Sequence, residues 1–331
     1  MITVRSLRTA AVFALGAALA GAAGAQPRGQ AVDYPVRPVR MIVPFSPGGS
    51  SDLVARVMAQ QLTSIWNQQV VVDNRPGANG MLGHQIGSRA APDGHTITLT
   101  SIGPLAVNPT LYNDPGYHPL RSFETVTLTV SLINLVVVHP SVPARSIAEL
   151  IAYAKPRPGQ VSYGSSGVGG AGHLAGELFN FMAGVQLSHV PYKGGAPAMI
   201  DLVGGRIQMI FPTLVTALPS MKAGKIRALA VTRKERVSIV PELPTVTESG
   251  LPGFEANNWD GMLVPAGTPR AIVTRLSGDT GRALNAPEAR ELLSSAGALP
   301  TPGTPEAFSQ YLKSEIAKWR DVVQRAGIRA E

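Results

Sequence analysis

The chain has no cysteine. Disulfides, thiolate metal sites, thiol catalysis and a lipid-modified N-terminal cysteine are therefore excluded. Aromatic residues are few, 5%, and charged residues make up only 15%. No long block of like charges occurs, and no basic cluster is interleaved with stacking rings. A nucleic-acid surface would want both. After Ala25 no apolar run approaches the roughly 20 residues needed to span a bilayer. The histidines His84, His95, His118, His139, His173 and His189 stand apart, with no His-Glu-x-x-His pair for zinc. Gly164-Ser165-Ser166-Gly167 lacks the Gly-x-Ser-x-Gly spacing of a hydrolase elbow, and no glycine turn ends in Gly-Lys-Ser/Thr as a phosphate loop does. No metal and no cofactor is expected.

Two stretches with one grammar stand out instead. Arg40 to Phe45 carries the β-branched pair Ile42 and Val43, as a buried strand would. Pro47, Gly48 and Gly49 break it, and Ser50, Ser51 and Asp52 are helix-start residues. Leu53, Val54, Val57, Met58 and Leu62 then repeat at helical spacing. Val161 to Gly172 repeats the pattern, with serines and glycines before a helix carrying Leu174, Leu178, Phe181 and Met182. The first N–H groups of a helix lack backbone partners and sit at the positive end of its dipole. Such a turn welcomes an anion, and glycine lets it come close. Each alone reads equally as an ordinary strand-to-helix turn. Two of them over a hundred residues apart suggest one ligand held between two lobes.

At the N-terminus, Arg5 and Arg8 precede an alanine-rich apolar run and the small-x-small triplet Ala23-Gly24-Ala25. This reads as a cleaved secretory leader over residues 1–25, with Gln26 the first mature residue. A membrane anchor is the alternative, but the run is short for one. The net charge of +8 falls when Arg5 and Arg8 leave, yet the chain stays basic, which suits small acidic ligands outside the cell.

Strand and helix patterns alternate along the rest. Val70 to Val72, Thr96 to Thr100 and a helix from Gly80 to Ala91 extend the first unit to β-α-β-α-β. Two extended runs within Glu124 to His139 have no helix between them and read as the first crossing between lobes. A helix over Ser146 to Ala154 is capped by Ser146. Strands at Leu187 to Tyr192, Ile207 to Phe211 and Ile226 to Thr232, with helices opening at Gly194 and Thr216, complete a second unit. The chain returns through a strand at Asn257 to Val264 and ends in helices over Pro269 to Leu284 and Pro305 to Ala326. The spacing predicts lobe one over 26–128 plus 234–331 and lobe two over 129–233.

In chain order, several segments form a further pattern. They are Tyr34-Pro35-Val36-Arg37-Pro38, Val43-Pro44-Phe45 with Gly48-Gly49 and Asp52, Pro92-Asp93-Gly94, Tyr163-Gly164-Ser165-Ser166-Gly167, Val190-Pro191-Tyr192-Lys193-Gly194, Arg227-Ala228-Leu229-Ala230-Val231-Thr232 and Glu248-Ser249-Gly250. With them the mature chain resembles the periplasmic substrate-binding proteins of tripartite tricarboxylate transporters, the Bug receptors. The resemblance implies an α/β fold: a two-lobed, type II periplasmic-binding-protein clamshell, each lobe a mainly parallel sheet flanked by helices. It implies a periplasmic, monomeric receptor that holds a small carboxylate between its lobes and delivers it to membrane transporter subunits. Carried over, Phe45, Ser46, Gly48, Gly49 and Ser50 form one jaw, and Ser165, Ser166, Gly167 and Gly169 the other. Ser101, Tyr192 and Thr213 line the remainder. Lys193 is expected in solvent, and Asp52 as a cap on its own helix.

Two positions depart from the family's pattern. Gly170 stands where Thr or Ser is usual, so a hydroxyl contact is missing. Pro212 stands where an Asp often faces the cleft, which argues for a simple or apolar-tailed carboxylate over an amino acid. Two other outputs stay open at this point: a sensor subunit presenting its loaded form to a membrane kinase, and an exported α/β hydrolase.

Overall fold

The computed structural model describes residues 33–325. The expected leader over residues 1–25 lies outside the described residues. Two sheets carry the fold. The first is built by β1 (Val39–Val43), α1 (Ser50–Trp66), β2 (Val70–Asn74), a 3-10 turn at Ala78–Gly80, α2 (Met81–Ser88) and β3 (Thr96–Ser101). Here β1 pairs in parallel with β2 and β3. A π-helical turn at Gly103–Val107 and the short α3 (Asn108–Leu111) lead to β4 (Phe123–Leu132).

The second sheet is built by β5 (Leu135–Val138), α4 (Ile147–Ala154), β6 (Ser162–Ser165), α5 (Ala171–Ala183), β7 (Ser188–Pro191), α6 (Gly195–Val203), β8 (Met209–Ile210), α7 (Leu214–Lys222) and β9 (Arg227–Val231). The chain then returns to the first sheet with β10 (Asn258–Pro265), α8 (Arg270–Asn285), α9 (Pro287–Ser295), β11 (Ala298–Pro300) and α10 (Pro305–Arg325). Strand order is β11-β4-β10-β3-β1-β2 in the first sheet and β7-β6-β8-β5-β9 in the second.

Both sheets are mixed. The βα units pair in parallel, as a crossover helix requires. The strands that enter and leave each lobe pair antiparallel: β10 with β3 and β4, and β5 with β8 and β9. β4 stays in the first sheet to Leu132, which faces Asn258 of β10. The expected division at 128/129 thus falls inside a continuous strand. The chain crosses at Ile133 and Asn134, and the return crossing runs beside it: Thr232 N–H donates to Asn134 O, and Ala256 N–H to Thr232 O.

Alternation along the strands sets the cores. In β5, Val136 and Val138 pack with Tyr163, Phe179 and Phe211, while Leu135 and Val137 pack with Leu202, Ile210 and Leu214. In β10, Trp259 and Leu263 join Phe308, Leu312 and Trp319 of α10. Gly261 lies on that face too, where a Cβ would come within 2.4 Å of the Phe308 ring. Met262 points the other way, accepting a contact from Thr280 of α8. Asp260 shares the Met262 face, beside α1.

Candidate ligand-binding site

The carboxyl end of β1 turns sharply at Pro44 to Gly49. Gly48 holds φ of +80°, and Gly49 is the extended residue before α1, with no side chain bonding the helix's first amides. Asp52 is not that cap. From inside the helix it accepts from Gly48 N–H, from Arg56 Nε and from Asn74 Nδ2, fixing the glycine turn from below. Burial works against its charge, but these three donors outweigh it and hold its carboxyl below the usual range. The first N–H groups of α1 are left without a side-chain cap.

The second turn, after β6, ends the same way. Gly170 precedes α5 and no side chain caps it. Ser165 closes the turn internally: its hydroxyl donates to Gly167 O, accepts from Gly167 N–H, and lies 2.7 Å from His189 Nε2. His173 accepts Gly169 N–H on Nδ1 and stacks on His189 with ring centres 4.1 Å apart. Burial pushes the His173 imidazole down to about 4 and, with His173 alongside, that of His189 to about 3. Both are neutral props under the glycine turn. His173 and Glu177, one helical turn apart, are a buried histidine and a carboxylate 4.0 Å from each other.

The two turns face one cavity of about 70 Å³. A single water needs roughly 10–15 Å³ on the same scale, so the space suits a small molecule. From the first lobe it is lined by Phe45, Gly49, Ser50, Ser51 and Ser101. From the second come Ser165, Ser166, Gly170, Ala171 and Gly172, with Thr213 and Thr216 of the α7 start. A third uncapped helix start joins them: Gly195 opens α6 with no side-chain cap and also lines the cavity. No lysine, arginine or histidine is among the lining residues.

Of the residues expected from sequence, Phe45, Gly49, Ser50, Ser101, Ser165, Ser166 and Thr213 meet at this cavity. Ser46, Gly48, Gly167, Gly169 and Tyr192 do not line it. Ser46 bridges the lobes instead, its N–H and hydroxyl both donating to Lys193 O. Gly48 and Gly169 supply positive-φ bends behind the wall, and Gly167 packs against Asn79. Tyr192 turns away to donate to Asp201 at 2.8 Å. At Gly170 the departure from the family pattern has a steric counterpart. A Cβ there would sit 2.6 Å from Ser166 Oγ, so the Ser166 hydroxyl fills the space a side chain would need.

Sequence reasoning missed six polar residues of the cavity: Ser51, Asn79, Asn134, Thr216, Asn258 and Asp260. Asn79 sits on the 3-10 turn in a left-handed conformation, and Asn134 at the crossing between lobes. Asp260 is fully buried at a strand position. Neither of its oxygens has a hydrogen-bond partner, nor does Oδ1 of Asn79 or of Asn134. Burial pushes the Asp260 carboxyl up to about 7, the neighbouring Ser51 hydroxyl offsetting this only in part. Pro212 does line the cavity and brings no charge, but β10 brings an acidic group, Asp260, to the same cavity. The strand alternation of Trp259, Asp260 and Gly261 was the available signal, since a lone acid in a wholly buried strand has to face something polar.

Known proteins resemble this chain along nearly its whole length. A family model described as tripartite tricarboxylate transporter family receptor matches residues 54–328. Protein BugT of Bordetella pertussis is 36% identical over 295 residues, covering 89% of this chain and 90% of BugT. Among solved structures, Rpa4515 of R. palustris with adipate superposes with a TM-score of 0.87 at 38% identity, over 89% of this chain and 99% of that one. MatC from Rhodopseudomonas palustris with bound malate gives 0.84 at 32% identity, over 88% and 100%.

Proposed function

The chain belongs to the tripartite tricarboxylate transporter receptor family, and from that premise we propose that its cleft captures a small carboxylate and hands it to the membrane subunits of such a transporter. As a member it is a solute-binding receptor rather than an enzyme. The observation that carries the ligand class is the convergence of three uncapped helix starts, α1, α5 and α6, on one cavity without a basic side chain. Each such start favours an anion by about 0.3–1 kcal/mol when exposed and up to about 2 when partly buried. Three of them, with the hydroxyls of Ser50, Ser166 and Thr213, replace an arginine as the partner of a carboxylate. The adipate and malate bound to Rpa4515 and MatC agree with this class.

Lobe one runs to Leu132 and resumes at Asn258, and lobe two spans Leu135 to Val231; the strand pairing supports these limits. Closure over the ligand is held by Ser46 against Lys193. The protein acts as a monomer in the periplasm, after cleavage behind Ala25.

The reading is tested by a thermal-shift screen of the exported protein, unfolded and refolded to strip carried ligand. The panel holds mono-, di- and tricarboxylates, aromatic acids and amino acids. A ligand at about 100 times its dissociation constant adds roughly 2.7 kcal/mol, a rise of several degrees. A hit that is lost in Gly49→Asp and in Ser166→Asp supports the site. A silent panel, or a hit indifferent to both substitutions, refutes it.

A further inference from the structure

The polar groups of the cavity are of two kinds. The amide ends of α1, α5 and α6 are donors. Beside them the same cavity holds four buried acceptor oxygens that no group meets in full hydrogen-bond geometry: Oδ1 of Asn79, Oδ1 of Asn134 and both oxygens of Asp260. The orientation of Asn79 is fixed by its neighbours, because its Nδ2 donates to Asn108 Oδ1 and Asn108 Nδ2 donates back to Asn79 O. Asn134 is held by the return crossing at its backbone and is 1% exposed. Asp260 is 0% exposed and paired through its backbone with Ser101 and Val130. The Ser51 hydroxyl at the start of α1 neighbours this carboxyl and offsets its burial only in part.

Buried acceptors without donors are costly, and a buried carboxylate is the costliest of them. They persist where a missing partner supplies the donors. With the Asp260 carboxyl ionised, as at pH 8, a plain di- or tricarboxylate is a poor partner. It would add negative charge beside Asp260 in a cavity without one basic side chain, so either the acid takes up a proton or the two repel. An ammonium group satisfies every condition. It carries three donors and no acceptor, it neutralises Asp260, and it leaves the ligand's carboxylate free for the helix amides.

We propose that Asp260, with the free amide oxygens of Asn79 and Asn134, receives a ligand amine, so that the receptor's ligand is a zwitterionic amino-carboxylate rather than a plain acid. This rests on the carboxylate reading of the helix starts and adds the second pole. It also reverses the expectation drawn from Pro212. The acidic group that β8 lacks at its end is supplied by β10 from across the cleft.

The test is calorimetric titration of matched pairs into the stripped protein: alanine against propionate, 4-aminobutyrate against butyrate, aspartate against succinate. A charge-assisted bond to an ammonium corresponds to roughly a tenfold to hundredfold gain. At least one amino-carboxylate should therefore bind tenfold or more tightly than its amine-free partner at pH 8. Asp260→Asn keeps the shape of the side chain and should bring the two within about threefold. Plain acids bound as tightly as their amino partners overturn the proposal while leaving the carboxylate reading standing. A preference that survives Asp260→Asn places the amine elsewhere and overturns it too. Silence from both series overturns the carboxylate reading and the proposal with it.

Discussion

Replacing Asp260 with Asn should make the empty receptor more stable, and the gain should depend on pH. In the folded protein burial pushes this carboxyl up to about 7, whereas in the unfolded chain an aspartate titrates near 3.9. A folded value raised above the unfolded one means the native state binds the extra proton between these limits. Wild-type stability therefore declines as pH rises from about 4 to about 7 and stays at the lower level above that. Roughly three units at 1.36 kcal/mol each sets the decline at about 4 kcal/mol. No other ionisable side chain lines the cavity to share that titration. Asn has none of this loss. The variant should exceed wild type by up to about 4 kcal/mol at pH 8, on the order of 5–10 °C in Tm, with the gap closing toward pH 4. Thermal unfolding of both proteins across that range reads the difference directly, and every titration they share cancels. Equal stability at pH 8, or a gap that does not change with pH, would refute the claim that the Asp260 charge is buried without compensation. An amino-carboxylate at saturation should shrink the gap, because its ammonium is the partner the empty protein lacks.

Further changes test other parts of the molecule. Gly49→Asp and Ser166→Asp should abolish carboxylate binding in calorimetry with little loss of Tm, since each places a negative charge where the ligand's should lie; Gly49 has an ordinary φ of −83° and its nearest non-neighbour atom would be 3.5 Å from a new Cβ. Ser46→Ala removes the hydroxyl across the closed lobes without touching the cavity, and should weaken affinity by roughly twofold to tenfold, seen as a faster off-rate. Gly261→Ala should cost about 1–3 kcal/mol in urea unfolding, because the Phe308 ring occupies the space of the new methyl. Below pH 6.5 the protein should lose stability toward pH 4: His84, His173 and His189 are held neutral by burial, down to about 4, 4 and 3, while the unfolded chain takes up protons near 6.5. Asp260→Asn should fall more steeply over that range, having lost a group that gains stability on acidification.

Local chemistry made most of the framework legible. Glycines, helix-start serines and apolar spacing located α1 and α5, and Ser146 does cap α4 by accepting Glu149 N–H. The helices around Gly103 to Leu111 and over Pro287 to Ser295 carry no clear sequence signal, because Pro104 and Pro109 look like breakers in the first case and charged side chains blur the period in the second. Pro at a first turn loses no hydrogen bond, which is how both prolines are accommodated. The antiparallel half of each sheet was illegible for a different reason. A strand's own pattern gives its two faces but not its neighbours, and β4, β5 and β10 meet their partners across long sequence gaps.

The cavity divides in the same way. Its donors come from turns, where glycine and serine advertise an anion site in the sequence itself. Its acceptors come from a strand, a crossing and a 3-10 turn, none of which carries a motif. Asp260 is visible only once β10 is known to lie between β3 and β4 with Ser101 opposite and α1 overhead. Ligand charge was therefore read from one pole alone. A reading confined to the glycine turns favours any carboxylate, because helix amides do not ask what the rest of the ligand carries. On the proposal that Asp260 receives an amine, the buried acid supplies the discrimination: it repels a second carboxylate and is neutralised by an ammonium group. On that proposal selectivity is set by residues that the motifs do not mark, and capture by the turns that they do.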